Sequence, residues 1–94
     1  MSPEQNKVPQ EAGKVVLSKP LDIDGQPITE ITLREPLAAE LYGVPLLSVV
    51  QLDPAAHGPL IEKLSTPTVP EAAFMQMSAR DMSRLMGRVA SFFG

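Results

Sequence analysis

The sequence predicts an α+β fold: an N-terminal two-stranded antiparallel β-hairpin followed by several short α-helices and an amphipathic C-terminal helix. Three observations predict it. Two apolar, β-branched runs flank an Asp24-Gly25 turn signal near the start. Ten prolines, about twice the usual share, are spread through the 94 residues and punctuate short elements instead of gathering in one linker. Beyond Ser78, apolar residues recur at three- and four-residue spacing to the last positions.

Residues 1–13, MSPEQNKVPQEAG, are polar and without periodicity, and read as a disordered tail. Residues 14–94 read as one domain, with the hairpin over 14–34 and helices over 36–94. Lys14–Ser18 supplies the first strand and Ile28–Arg34 the second. A strict two-residue loop would set Leu17 opposite Thr32 and mix the faces. A shift of one sets Val15 and Leu17 opposite Leu33 and Ile31, so a bulge or an odd-length loop is expected. Two strands alone are marginal in water, so this apolar face needs a cover.

Pro36 opens a short helix to Leu41 with Gly43 closing it, and a second apolar segment runs from Pro45 to Gln51. Asp53-Pro54 is a helix start, an acceptor at the N-cap followed by a residue that needs no donor. Gly58-Pro59 falls inside that segment, which should therefore be kinked or split before Leu64. Thr68 and Glu71 have capping-box spacing for a short helix through Met77. Ser78 with Asp81 then starts the C-terminal helix. At roughly 100° per residue, Met82, Leu85, Met86, Val89, Phe92 and Phe93 form one stripe, and Arg80, Arg84 and Arg88 stack on the opposite face.

Composition narrows the function. A chain of this length buries about 60–65% of its unfolded surface, so the core is modest. With no cysteine there is neither a disulfide framework nor a thiolate metal site. A net charge of −3 argues against a general nucleic-acid binder. No apolar run reaches the roughly eighteen residues of a membrane span, and the N-terminus does not read as a signal peptide. The cytoplasm is the expected compartment.

Catalytic groups are sparse. His57 is the sole histidine and has no cysteine or carboxylate beside it, so it reads as structural or solvent-exposed. Asp22 and Asp24 fit turn chemistry and lack the remaining ligands of a calcium loop. No phosphate-cradling loop or nucleophile elbow is present, so neither a cofactor nor an enzymatic activity is expected. The arginine stripe reads as a solvated face or as a contact for an acidic partner. Met75, Met77, Met82 and Met86 read either as filler in a core short of aromatics or as adaptable contacts for apolar partners.

The order of short motifs adds a resemblance. Ile28-Thr-Glu-Ile-Thr-Leu-Arg-Glu-Pro36 after the Asp-Gly hairpin is similar to the opening of the phage tail assembly chaperones, the E-type proteins of contractile-tailed and Mu-like phages and prophages. Leu41-Tyr-Gly-Val, Leu52-Asp, Leu64-Ser-Thr-Pro67, Met77–Met82 and Val89–Gly94 follow in the order and approximate spacing of that family. The likeness covers roughly residues 14–94. Gly58-Pro59 departs from a regular helix there and leaves that element's geometry open.

The resemblance implies a non-enzymatic protein of the host bacterial cytoplasm, absent from the mature virion. Its implied partner is the tape measure protein, kept soluble until tail tube protein polymerises around it. A longer, frameshifted form of the chain is also implied. Phe92-Phe93-Gly94 can be encoded by an unbroken run of T followed by G, though two phenylalanines can equally close an amphipathic stripe. Two other readings stand beside this one: a small structural or adaptor subunit retained in the tail, and a DNA-associated regulator acting through Arg80, Arg84 and Arg88. The expected contact surface is whatever the core leaves free of Met82, Leu85, Met86, Val89, Phe92 and Phe93, then Ile31 and Leu33 on the hairpin. Self-association through the hairpin edge is a further expectation.

Overall fold

A computed structural model describes residues 13–93. The expected tail lies outside the described residues except for Gly13, which is buried. A Cβ at Gly13 would collide with the carbonyl oxygen of Leu33, so only glycine fits at this position.

The order of elements is β1 (Lys14–Ile23), β2 (Gln26–Leu33), a 3₁₀ turn (Ala38–Leu41), α1 (Leu46–Val50), α2 (Pro54–Leu64), β3 (Ser65–Thr66), α3 (Glu71–Met75) and α4 (Ala79–Ser91). The fold is α+β, but the sheet has three antiparallel strands in the order β1-β2-β3, not two. The third is a two-residue extension of α2 whose Ser65 and Thr66 pair with Leu33 and Thr32. Nothing as short as Ser-Thr carries a strand period, which is why the sequence does not announce it.

The hairpin turns tightly. Asp24 and Gly25 both have positive φ, as the primed turns of two-residue hairpins require, and Ile23 faces Gln26. The bulge anticipated from the apolar pattern lies within β1, where Leu17, Ser18, Lys19 and Pro20 stand against Thr29 alone. Val15 consequently faces Ile31, not Leu33 as the one-residue shift would have it. The slip falls where β1 cannot pair: Pro20 has no N–H, and the Ser18 and Lys19 amides are taken by Asp81. Val15, Leu17, Ile31 and Leu33 still share one buried face.

That face is covered by α4. Leu85, Met86 and Val89 join Leu60, Ile61 and Leu64 of α2, Val49 of α1, and Val69 and Phe74 in a single core. The helix α2 is unbroken through Pro59. Pro59 and Ala55, whose carbonyl loses its intrahelical donor, are both exposed, so water can satisfy the orphaned group and no split is forced. Gly58 is buried, and a Cβ there would crowd Glu71. The box expected from Thr68 does not form. Pro70 is the N-cap of α3 and is itself extended, and a residue before proline, here Val69, is disfavoured in the α region, so the helix starts only after it. Arg34 locks the hairpin to the helices: its guanidinium grips both oxygens of Glu40 in the 3₁₀ turn at 2.7 and 2.5 Å, and its amide donates to Leu64.

Candidate functional site

The segment between the sheet and α2 is built inside out. Residues 41–52, LYGVPLLSVVQL, carry no charged side chain, and α1 at their centre has four apolar residues in five. Only Val49 points inward, whereas Leu47 is 71% exposed and Leu46 and Val50 are also open to solvent. Ser48, the polar member, is more covered than they are. Leu37, Tyr42 and Leu52 add to the same stretch, with Tyr42 87% exposed. Scattered apolar residues on a surface are ordinary, but a concentration of this kind within one short segment makes it the candidate contact surface.

The orientation of α1 is held from below. The carbonyl of Val49 lies 2.7 Å from Nε2 of the buried His57 and also accepts from the Leu52 amide. Burial pushes the His57 imidazole below its ordinary value, against the opposing pull of the Val49 carbonyl and of Asp53. Neutral His57 thus donates through Nε2, and Nδ1 has no partner among the described residues. At the end of α1, Leu52 donates to Val49 and Asp53 donates to Ser48, the paired bonds of a Schellman cap. Leu52 holds the left-handed position that motif assigns to glycine, at φ 62°. Asp53 then caps α2 by accepting from the Ala55 amide at 3.0 Å. The C-terminal end of α1 is therefore pinned to α2.

The C-terminal helix divides its stripe. Leu85, Met86 and Val89 are buried in the core, as are Ile31 and Leu33 of the hairpin, while Met82, Phe92 and Phe93 remain half-covered. The arginines differ among themselves. Arg80 is exposed, but Arg84 donates to the Val16 carbonyl and stands 3.6 Å from Asp81, and Arg88 is half-buried beside Val15. Arg84 is thus bound to β1 and does not present a free cationic face.

Asp81 explains that attachment. Ser78 caps α4 by accepting the Asp81 amide at 3.2 Å, as the sequence spacing implies. The Asp81 carboxylate, 1% exposed, turns away to accept the Ser18 amide at 2.9 and 3.0 Å, the Ser18 hydroxyl at 3.1 Å and the Lys19 amide at 3.3 Å. Burial opposes its charge, but these bonds and the Ser78 hydroxyl outweigh it and hold the carboxyl below its ordinary range. With Arg84 on Val16, α4 occupies the backbone groups of the edge strand β1.

Among the described residues no group of three potential ligands could hold a metal ion, and no helix is long and apolar enough to cross a membrane. What this geometry presents is apolar surface on a clamped scaffold. The family model for phage tail assembly chaperone proteins, E, or 41 or 14, matches residues 14–94.

The chain belongs to the phage tail assembly chaperone family.

No curated protein and no solved structure gives a significant match to it. For a tail assembly chaperone, the exposed segment around α1 takes on meaning, since membership implies contact with phage tail proteins and points to a non-enzymatic role. The likeness read from the hairpin and its downstream motifs spans the same residues as the match. The exposed face of α1 escaped the sequence reading, because a short apolar run looks the same whether its helix faces in or out. The one available sign was the absence of charge across 41–52.

Proposed function

We propose that this tail assembly chaperone binds the tape measure protein of its phage and keeps it soluble in the host cytoplasm until tail tube protein polymerises around it. The observation that carries the proposal is the charge-free, outward-facing stretch from Tyr42 to Leu52 on a family member. Fully covering a leucine or valine contributes about 1.5–3 kcal/mol, so a few such contacts hold an apolar partner while leaving it releasable. Met82, Phe92 and Phe93 at the open side of α4 extend the contact, and Arg80 supplies a peripheral polar one. On this reading the chaperone leaves before the virion is complete, and a longer frameshifted form of the chain shares its partner.

Co-expression with the tape measure protein of the same gene cluster tests this. The expected result is a soluble tape measure that co-elutes with the chaperone, and virions whose mass spectra lack the chaperone. Countable copies in purified virions would instead make it a retained structural or adaptor subunit.

A further inference from the structure

Two open hollows flank the first turn of α2. One, of about 260 Å³, is walled by Tyr42, Pro45, Pro59 and Lys63. The other, of about 440 Å³, is walled by Pro54, Phe74, Met75, Met82 and Glu71. Ala55 lines both. The hollows therefore adjoin at this residue, and together they make a track from Lys63 in the last turn of α2, past Ala55, to Glu71 and Met75 of α3. Tyr42 lines the first half and Met75, 75% exposed, the second. Lys63 is the one charged residue lining the first half and Glu71 the one lining the second. Neither forms an ion pair among the described residues.

We propose that this track seats a single apolar-faced helix of the partner, with the helix N-terminal turn over Lys63 and its C-terminal turn over Glu71. The proposal rests on the reading that the chain holds the tape measure protein. The walls themselves select a helix. Pro45, Pro54 and Pro59 have no N–H, so an extended segment laid here would find few donors for its carbonyls, whereas a helix satisfies its own. The floor is apolar and suits a helical stripe. The direction follows from charge: helices carry acidic side chains in the first turn and basic ones in the last, which matches a cation at one end of the track and an anion at the other.

Ala55, shared by the two hollows, offers a decisive substitution. Ala55 is exposed in the first turn of α2, where an acidic side chain favours the helix dipole. Ala55→Glu therefore leaves the melting temperature unchanged or higher while its side chain blocks the track. With the tape measure protein co-expressed as the probe, the amount co-eluting with Ala55→Glu falls about tenfold or more, and the exposed control Ser83→Glu behaves as the unaltered chain. A photo-crosslinking residue at Tyr42 and another at Met75 label one tape measure helix, nearer its N-terminus and C-terminus respectively. Undiminished capture by Ala55→Glu, labels in reversed order, or labels in unrelated segments overturn the seat while the chaperone reading stands. Failure of the unaltered chain to co-elute overturns both.

Discussion

Asp81 shows how much one side chain can do when its two roles point in different directions. Its amide belongs to the helix cap and its carboxylate to the hairpin. Asp81→Asn keeps the size but sets an NH₂ against the Ser18 or Lys19 amide, and leaves donors without an acceptor. It should cost about 2–3 kcal/mol, read as a lower urea midpoint with an unchanged slope. Because its carboxyl lies below the ordinary range in the folded state, the stability it contributes is present above that range and is lost as pH falls from it through the lower folded-state value. Glu40 behaves likewise: the Arg34 fork and the Leu37 amide bring it to about 2, so its contribution fades as pH drops from the ordinary carboxylate range toward that value. His57 acts nearer neutrality. Its value is depressed in the fold, so above about pH 6.5 both states are neutral and nothing is lost. Below it the unfolded chain takes up a proton that the folded chain resists, and stability declines. A urea midpoint that falls between about pH 7 and 5, and stays level in His57→Gln, is the expected result. The Ser78–Asp81 cap was legible as a local spacing, and so was the Asp24-Gly25 turn. The distant halves of these interactions were not: no local pattern links Asp81 to Ser18 or His57 to Val49.

At the level of elements, Leu52 is the informative exception. A left-handed leucine costs about 1–2 kcal/mol, and a Schellman cap ordinarily avoids that with glycine. Leu52→Gly removes the strain but loosens the unfolded chain, for a net gain of about 0.5–1 kcal/mol. Thermal melting should register that gain, while co-elution with the tape measure protein should decline because an exposed apolar contact has been deleted. A gain in stability without loss of capture would remove Leu52 from the contact surface. The C-terminal helix was legible as an amphipathic stripe, and its core members are Leu85, Met86 and Val89. Periodicity could not say which of its apolar residues face the sheet and which stay accessible, since both sets lie on one side of the same helix. The helix through Pro59 was hidden for a related reason: whether a proline breaks a helix depends on whether water can reach the carbonyl it orphans, here that of exposed Ala55.

For the whole molecule, the core and the main concentration of exposed apolar side chains are separate territories. The core gathers β1, β2, α2 and α4, and the exposed apolar side chains concentrate between Leu37 and Leu52. Leu85→Ala should therefore cost about 2–5 kcal/mol and abolish capture only by unfolding. Leu47→Ser, 71% exposed, should leave the melting temperature within a degree or two of the unaltered chain yet reduce binding of an apolar dye and of the partner. The attachment of Ser18 to Asp81 also sets an order of events for the newborn chain. The two lie 63 positions apart, and at ~5–20 residues per second the ribosome needs roughly 3–13 s to pass from one to the other. Throughout that interval the first strand has emerged without the helix that will cover its margin. The chaperone thus begins its own life with an unsheltered edge, guarded in the meantime by little more than the proline and lysine of its bulge.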